Sequence, residues 1–557
     1  MVLLLATLFM SLGLINLDFS RNWWFGQRAR LVLGLPLVLV YVYVAMPALV
    51  MPQALTLLLY TLIPNAAYSA MLAARTAIAS RRIVSIRRSP LWPYLLSCAA
   101  LLLFAGFLVI APIVDANGLR NVADVRVSTS LAPEASLNHL RIVPEEAATF
   151  AGDKVIGQLG AYYQVGTFNI QPAQGKLQWV APLEFRDFIK WITRRTSPGV
   201  IVVSAENPDS AAEVRQRTAM RYIPSAPLND NLYRHVYLRY GFEQIIETTL
   251  QLDDRGDPQY IATLGRPTIG WSGQRVTAVV LVDPATGAMR RISRSNFGTL
   301  PHWVKRVVPP DLALAYNDWF GRYVHGWWNA RLGERDVHLP ARREVFGMLL
   351  SSDEFVWFVD HTSPASSDQS MTGFTYMDTV TGAMTYYTAA GGEFSSMGAQ
   401  RAVASNPIVR QGRLVPTQPI LYNAFSTNTW VVPLVAESGK YQSLALVQAS
   451  NGHVVVGNVN AGSPQNDALA QYRTFLGNKA TTAAVQTTLS GTVDRIAVSQ
   501  TTIYVVLRGD LRIFSVNDLN NPNALLTRPG DRVSFQTSMD AQRQWIAQNF
   551  KNRTLRK

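Results

Sequence analysis

The sequence predicts a membrane-anchored α+β protein, in which four N-terminal transmembrane helices carry a larger water-soluble body. Three observations predict this class. Residues 91–114 form an uncharged apolar run of 24 residues, long enough to cross the roughly 30 Å hydrocarbon core of a bilayer as a helix. Five arginines lie shortly before this run, and nothing comparably apolar follows it. From residue 115 onward, short apolar runs alternate with turn residues, as expected of packed helices and strands.

The net charge of the chain is divided equally between these two regions. Residues 1–114 hold eight arginines and one acid, and the other 443 residues hold 43 basic and 36 acidic residues, so each region carries +7. Half of the excess charge therefore belongs to short membrane loops, and the basic composition does not by itself indicate nucleic-acid binding. The single cysteine, Cys98, lies in the apolar run, which leaves the body without disulfides, thiolate metal sites or a cysteine nucleophile.

We predict four spans joined by polar loops. Two of the loops, residues 18–30 and 75–90, are rich in arginine, whereas the turn at Pro52 is uncharged. Arginine-rich loops stay on the cytoplasmic side of a membrane. The N-terminus and the body are therefore expected on the extracytoplasmic side of the cytoplasmic (inner) membrane. The predicted spans are residues 1–17, 31–50, 53–74 and 91–114.

The predicted spans lack ionisable residues, which argues against an ion or proton pathway. Asn16, Asn65 and Ser69 are the most polar groups there, and we expect them to form hydrogen bonds between helices. Four spans exceed what a tether needs, and small residues such as Gly34 and Ala54 offer surfaces for close helix approach. We therefore expect a homo-oligomer or a complex with other membrane proteins.

The sequence pattern of the first part of the body predicts an α+β domain. Residues 123–130 alternate as a strand, and residues 143–148 mark a helix start, because a proline and two acids suit the first turn of a helix. Two further strands are predicted at 177–180 and 200–204, around a helix at 183–194.

A seven-residue pattern, D-x-x-T-G-A-M, occurs twice in the body, and each copy lies between two apolar strands. The pattern predicts two equivalent hairpins, in which Asp283, Gly287, Asp378 and Gly382 form the turns. Residues 444–456 are a degenerate third copy. A catalytic role for the two aspartates is the alternative, although turn-forming aspartates are far commoner.

These turns resemble those of PepSY-type modules, in which a strand, a D-x-x-T-G turn and a second strand pack against a helix. Residues 143–148 are similar to the helix start of such modules, and residues 355–387 resemble part of a group of large bacterial membrane proteins. The resemblance implies an envelope protein built of PepSY-like α+β modules. It does not imply a particular activity.

Between the two hairpins lies an aromatic-rich segment of helical length, residues 311–332. Apolar side chains recur along it at steps of three and four residues, which predicts one stripe on a helix. The stripe either packs into the body or binds a membrane interface or a partner protein. The candidate partner-binding residues are Trp319, Tyr323, Trp327 and Trp328.

From about residue 487 the pattern becomes all-β, with four or five short strands in about 55 residues. Its glycine-initiated strands resemble an OB-fold, a small barrel whose strand face can bind oligonucleotides or oligosaccharides. Exposed aromatics and arginines could line such a face, although neighbouring acids dilute the charge and some of the aromatics must fill the core. The residues concerned are Arg495, Arg508, Arg512, Arg528, Arg532, Tyr504, Phe514 and Phe535.

We therefore divide the chain into seven segments. In order these are the transmembrane anchor (1–114), a first α+β module (115–225), a second α+β module (226–300), an aromatic helical connector (301–345), a third α+β module (346–483), an OB-like barrel (484–540) and a basic tail (541–557).

The sequence contains no HExxH, GxSxG, P-loop or Rossmann pattern, and it identifies no catalytic, cofactor or metal residue. The leading hypothesis is a non-enzymatic envelope protein, a structural subunit of a larger membrane or translocation assembly, which presents its modules to a partner. The alternatives are an extracytoplasmic envelope enzyme and an oligonucleotide- or glycan-binding protein that acts through the barrel.

Overall fold

The computed structural model confirms an α+β protein with apolar helices that could span a membrane and a closed five-stranded C-terminal barrel. It describes residues 1–17, 23–80, 92–157, 162–350, 354–365, 368–389, 391–483, 487–499, 502–516, 521–539 and 545–555.

Four helices form the anchor: α1 (Val2–Ser11), α2 (Trp23–Ala45), α3 (Met51–Ser80) and α4 (Trp92–Val114). Three segments are long and apolar enough to cross a membrane: Trp23–Ala45, Met51–Leu72 and Trp92–Val114. The apolar helix Val2–Leu14 is shorter. Residues 81–90 of the second predicted arginine-rich loop lie outside the described residues.

The first predicted arginine-rich loop is partly helical, because α2 already begins at Trp23. Arg30 is consequently buried inside the anchor, and the expectation that no ionisable residue lies within the spans is wrong. Its guanidinium donates to Asn65 Oδ1 (2.7 Å) and to Ser69 Oγ (2.6 Å). These partners satisfy the charge-bearing group, so Asn65 and Ser69 hold α2 to α3 as polar contacts between helices.

The body is fastened to one side of the anchor by direct hydrogen bonds. Leu49 N donates to Gly241 O (2.9 Å), and Tyr237 Oη donates to Pro47 O (2.9 Å). A side chain at Gly241 would collide with Val2, at the start of α1. The turn between α2 and α3 and the start of α1 therefore both contact the body, at one end of the helical anchor.

Between the anchor and the barrel, the body contains four copies of one unit, a helix followed by an antiparallel four-stranded meander. Module 1 contains α6 (Glu145–Ile156), β3 (Asn169–Ala173), β4 (Lys176–Phe185), β5 (Val200–Ser204) and β6 (Glu213–Arg215). Module 2 contains α8 (Leu232–Tyr240), β7 (Gln244–Leu252), β8 (Pro258–Arg266), β9 (Arg275–Val282) and β10 (Met289–Ser293). Module 3 contains α9 (Pro310–Arg322), β12 (Phe346–Leu349), β13 (Phe355–Thr362), β14 (Gly373–Asp378) and β15 (Met384–Thr388). Module 4 contains α11 (Ser396–Ser405), β17 (Ile420–Ala424), β18 (Thr427–Val435), β19 (Tyr441–Gln448) and β20 (Val454–Val456).

Smaller elements extend these units. Module 1 adds β2 (Tyr163–Val165) and α7 (Phe188–Arg194), module 3 adds α10 (Gly326–Trp328) and β11 (Leu339–Pro340), and module 4 adds α12 (Pro407–Gln411) and β16 (Val415–Pro416). The helix α5 (Ala116–Arg120) follows α4, and β1 (Val125–Ser128) pairs in parallel with β15.

The same joint ties the helix to the sheet in every module. The carbonyl after the third strand accepts from backbone N–H groups of the segment that leads into the helix. These donors lie two or three residues before the helix in modules 1, 3 and 4, and ten or eleven residues before α8 in module 2. The acceptors are Ala205, Pro284, Thr379 and Ala449, and the donors are Ile142 and Val143, Arg221 and Tyr222, Val307 and Val308, and Phe394, respectively.

A buried aromatic residue on the second strand completes the joint. In three modules its indole N–H donates to a carbonyl two residues before the helix, through Trp179 to Val143, Trp357 to Val308 and Trp430 to Phe394 (2.8–2.9 Å). Tyr260 takes this position in module 2, since it pairs with Val282 as the tryptophans pair with the equivalent third-strand residues.

The modules change three of the predicted boundaries. The predicted connector 301–345 contains α9, which is the helix of module 3. The predicted module 346–483 contains both the sheet of module 3 and the whole of module 4. Residues 183–185, predicted as the start of a helix, instead end the strand β4, because β4 continues past Pro182 to pair with β2.

Two hydrophobic clusters hold the modules together. One cluster contains modules 1 and 2 and one face of the module 3 sheet, including Trp357 and Met377. The other contains module 4 and the opposite face of the same sheet, including Phe358 and Tyr376. The sheet of module 3 therefore lies between module 4 and the rest of the body.

The barrel follows helix α13 (Pro464–Ala483). It contains β21 (Thr487–Val498), β22 (Ile503–Leu507), β23 (Ile513–Val516), α14 (Pro522–Leu525), β24 (Arg532–Met539) and β25 (Trp545–Asn552), closed in the order β21-β22-β23-β25-β24. The prediction of a basic tail at 541–557 is wrong for β25. Ile546, Ala547 and Phe550 of this strand fill the barrel core, although basic residues surround them in sequence.

Candidate functional site: a cleft where four modules meet

All four modules contribute to a cleft with a volume of about 960 Å³, which we call the arginine cleft. Module 1 supplies Arg141 and α6, and module 2 supplies Glu247. Module 3 supplies Arg306, and module 4 supplies Gln418 and the turn between β18 and β19. None of these residues was singled out from the sequence as a site residue.

Two arginines at equivalent positions form the floor of the cleft. Both are buried, and each stacks on the tryptophan of its own module, Arg141 at 4.8 Å from the Trp179 ring and Arg306 at 5.1 Å from the Trp357 ring. The sequence carries a signal for this pair that our sequence reasoning missed. The pattern Arg-x-Val-Pro lies directly before α6, at Arg141, and directly before α9, at Arg306, and a third copy at Arg413 contains β16.

Arg306 has polar partners from two other modules. Its guanidinium donates to Glu247 Oε1 (3.0 Å) from module 2 and to Asn169 Oδ1 (2.9 Å) from module 1. Burial lowers the pKa of Arg306, and the negative charge of Glu247 opposes that effect. The buried guanidinium of Arg306 in module 3 therefore connects module 3 to both module 2 and module 1.

Arg141 is held differently. It lies between the rings of Trp179 and Phe346 and donates to Gln418 Oε1, and the described residues give it no ion pair. Burial lowers the pKa of its guanidinium to about 10, and Glu145, Glu146 and Glu344 act on it only at longer range.

Gln418 lies at the contact between modules 1 and 4. Its backbone is left-handed, with φ of 43°, a conformation that costs a non-glycine residue on the order of 1 kcal/mol. Its side-chain Oε1 accepts from both Arg141 and Glu145 N (3.3 Å). Backbone strain of this kind concentrates at sites where the surroundings fix one conformation.

The cleft carries an excess of negative charge. Its described walls contain three guanidinium groups, from Arg141, Arg306 and Arg343, and seven carboxylates, from Glu145, Glu146, Asp153, Glu247, Asp311, Glu344 and Glu437.

Part of this negative charge has a structural explanation. Glu145, Glu146 and Asp311 lie in the first turns of α6 and α9, where acids stabilise the helix N-terminus. Glu344 and Glu437 lie outside helices and are exposed. These two carboxylates therefore leave the mouth of the cleft attractive to cations.

A second cavity of about 400 Å³ continues from the cleft along module 4 and shares Glu146, Glu344, Gln418 and Glu437 with it. Arg342 and Gln400 line its far part and are hydrogen-bonded to each other. The two cavities form one groove, whose length suits an extended ligand better than a compact one.

The predicted turn residues lie away from the cleft and form equivalent hairpin turns. Asp283 Oδ1 accepts from the N–H groups two and three residues later, and Asp378 Oδ1 does the same. Gly287 and Gly382 both have φ of +75°, which favours glycine. Both aspartate side chains therefore stabilise the hairpin turns.

The predicted aromatic residues do not share one helix, because α9 ends at Arg322 and Gly326 adopts a φ of +81°. Trp319 and Tyr323 pack partly against the core, and Trp327 is half-buried. Trp328 is 69% exposed. None of the four lines the arginine cleft.

The barrel surface differs from the predicted binding face. Phe514 and Phe535 are buried in the barrel core, whereas Tyr504 is exposed. Arg512 forms an ion pair with Asp510 (2.6 Å). The alternation of side chains along a strand therefore removes two of the three proposed stacking aromatics.

Two histidines that are distant in sequence meet beneath α9. His338 Nδ1 and His361 Nδ1 lie 3.0 Å apart, and His361 Nε2 lies 2.9 Å from Asn317 Oδ1. Burial lowers the pKa of His338 to about 4 and that of His361 well below its usual value. Both imidazoles are therefore neutral at pH 7. Across the described ranges, no group of three or more His, Cys, Asp or Glu side chains is arranged to hold a metal ion.

No protein-family model matches the chain, and no curated protein is significantly similar to it. Among solved structures, one of a BT0996 RGII complex aligns with 76% of this chain and 93% of its own, at 8% sequence identity and a TM-score of 0.18. A TM-score this low carries no argument about fold or function.

Proposed function

We propose that this chain is a non-enzymatic, membrane-anchored binding protein, which holds a basic polypeptide segment of a partner in the arginine cleft. The observation that carries the proposal is the charge of the cleft, where seven carboxylates outnumber three guanidinium groups. The net charge of residues 115–557 is +7. A cation is therefore attracted by the cleft and repelled by the body as a whole.

The length of the groove supports a polypeptide as the ligand. An extended chain can run from the cleft into the adjoining cavity and place basic side chains against Glu344 and Glu437 on the way. Electrostatic complementarity of this kind sets specificity and association rate.

The same proposal includes a location and a mode of action. The anchor is a four-span unit of the cytoplasmic (inner) membrane, and the body faces the extracytoplasmic space. The arginines of residues 18–30 and 75–90 support this orientation. The body is built of PepSY-like modules and works within a larger envelope assembly, with a second copy or another membrane protein as the partner. Mass measurement of the detergent-solubilised protein distinguishes a homo-oligomer from a mixed complex.

Binding can be tested on the full-length protein in detergent with two fluorescent peptides of equal length, one rich in lysine and the other in glutamate. We expect the lysine-rich peptide to bind, and we expect its affinity to fall as salt is added. Nonspecific attraction to the basic body would favour the glutamate-rich peptide instead. Preferential binding of the glutamate-rich peptide would therefore contradict the proposal.

An envelope hydrolase is the second candidate, and one observation favours it. Partial removal from water raises the pKa of the Glu145 carboxyl, against the effect of Arg141, and a carboxyl with a raised pKa suits a general acid. Turnover of an envelope peptide or glycan that is lost in Glu145→Gln and kept in Glu437→Gln would support this candidate.

Binding of an oligonucleotide or a glycan by the barrel remains the third candidate. Its strand order, with β23 and β25 parallel, supports the OB-like interpretation, and Tyr504 is its exposed aromatic.

A further inference from the structure

We propose that the side of the body next to the anchor is a membrane-contact surface, which inserts apolar side chains into the interface of the bilayer. We define this surface as the loop 267–274 together with Leu228, Phe242, Trp328 and Leu332. Its ligand is the lipid surface itself, so the proposal does not depend on the arginine cleft.

The loop 267–274 connects β8 to β9 and touches the transmembrane helix α4. A side chain at Gly270 would collide with the Leu108 carbonyl and approach Ala111. Leu108 lies six residues before the end of α4 at Val114, which corresponds to a depth of roughly 9 Å at the helical rise. The tip of the loop therefore reaches the depth at which interfacial segments are found.

Hydrogen bonds within the loop satisfy several of its backbone groups, as an environment with little water requires. Ser272 N donates to Ile269 O (2.9 Å), and Ile269 N donates to Ser272 O (3.1 Å). Thr268 Oγ1 donates to Gly273 O (2.7 Å). These bonds satisfy backbone groups that would otherwise need water. Trp271 stands at the tip, and tryptophan is enriched at membrane interfaces.

Two further side chains lie beside contacts between body and anchor. Phe242 is exposed and follows Gly241, whose carbonyl accepts from Leu49. Leu228 is exposed and precedes Asn229, whose side chain accepts from Tyr43 Oη (3.0 Å). Both are therefore held at the level of the turn between α2 and α3.

The short helix α10 and the helical turn that follows it, Asn329–Gly333, supply the remaining part of the surface. Helix α10 packs beside α5, which directly continues α4. Trp328 is 69% exposed and Leu332 is 79% exposed. Single exposed apolar residues are ordinary on protein surfaces. Here, however, they lie along the face that contains the membrane helices.

Charge on this face favours lipid over a protein partner. The exposed Arg239 and Arg275 lie beside the contacts with the anchor, and Arg331 and Arg335 flank Leu332. Asp336 contacts both His325 (2.9 Å) and Arg335 (3.5 Å) and offsets the charge of Arg335, so Arg239, Arg275 and Arg331 supply the basic character of this face. Basic side chains at this level attract anionic lipid headgroups.

The test uses the full-length Cys98→Ser protein with single cysteines that carry an environment-sensitive dye, in nanodiscs of phosphatidylcholine and phosphatidylglycerol. Trp271→Cys and Trp328→Cys report on the proposed surface. Ile408→Cys is the matched control, because Ile408 is an exposed apolar residue of α12 in module 4, and the sheet of module 3 separates module 4 from the anchor side. The probe is a spin label on the lipid acyl chains near the headgroup.

We expect severalfold stronger quenching at positions 271 and 328 than at position 408. Should Trp271→Cys fail to fold, Leu332→Cys replaces it, since that side chain is outside the packed core. Quenching at these positions no stronger than at position 408 would overturn the proposal. So would shielding of positions 328 and 332 from lipid by a bound protein.

Discussion

Modules 1 and 3 share one plan and differ in how they treat the same arginine. In both, a tryptophan on the second strand fixes the segment before the helix and stacks on an arginine. In module 3 the arginine is neutralised by Glu247. In module 1 it donates to Gln418 and stacks on two rings, and no described residue forms an ion pair with it. The comparison teaches that a repeated position can be a structural joint in one copy and part of a binding cleft in the next.

The shared tryptophan should give the largest effect on stability. Trp357→Ala removes a buried ring and leaves the Val308 carbonyl without its indole donor. We expect the free energy of unfolding to fall by about 5 kcal/mol, measured by denaturation in detergent. Trp179→Ala should lose a similar amount, and a loss below about 1 kcal/mol in either variant would show that the joint is not shared.

Substitutions of the two arginines should have different effects on stability in modules 1 and 3. Arg306→Met leaves Glu247 and Asn169 without their partner and should destabilise the protein by about 4 kcal/mol. Arg141→Met removes a buried charge that has no ion pair, so its stability should stay within about 1 kcal/mol of the unchanged protein or rise. Equal losses in the two variants would contradict the difference between the modules.

The histidine pair belongs to module 3 alone, because Leu183 lies in module 1 where module 3 has His361. The folded protein keeps His338 neutral down to about pH 4, whereas an unfolded histidine binds a proton below about pH 6.5. Acidification from 6.5 to 4 should therefore lower the free energy of unfolding by about 3 kcal/mol for His338 alone. A His338→Gln variant should show a shallower slope, and an unchanged slope would assign the effect to other groups.

The turn glycines should give the smallest effects and sharpen the comparison between modules 2 and 3. A side chain at Gly287 would collide with Tyr222 and His235, whereas one at Gly382 meets Val308 only at 3.4 Å. We expect Gly382→Val to cost about 1 kcal/mol for its positive φ and Gly287→Val to cost about 2 kcal/mol. Thermal unfolding of the two variants tests this order, and the reverse order would contradict it.

The sequence predicted those parts of the fold that are encoded locally. Apolar runs located the membrane helices, and the D-x-x-T-G pattern located two of the four turns that follow a third strand. The degenerate third copy at 444–456 located the turn of module 4, between β19 and β20, although Gln448 replaces the aspartate. The turn of module 1 escaped because Ser204 takes the place of the aspartate, although Ser204 Oγ still accepts from the backbone N–H groups of the turn.

The cleft could not be predicted in the same way. Its walls come from all four modules, and segments of different lengths and secondary structure separate Arg141 from Trp179 and Arg306 from Trp357. The Arg-x-Val-Pro pattern contains both floor arginines and precedes their helices, but it also occurs at Arg413, which does not line the cleft. Arg30 also escaped, because its partners Asn65 and Ser69 lie on another helix.

The central claim is that the acidic mouth of the arginine cleft binds a basic polypeptide segment. The most direct measurement is the affinity of the full-length protein for the lysine-rich peptide after charge reversal at Glu344 or Glu437. Asp494→Lys on the barrel is the matched control. We expect Glu344→Lys and Glu437→Lys each to weaken binding about tenfold, or ~1.4 kcal/mol, and Asp494→Lys to leave it unchanged. Equal affinity in all three variants and the unchanged protein would contradict the claim.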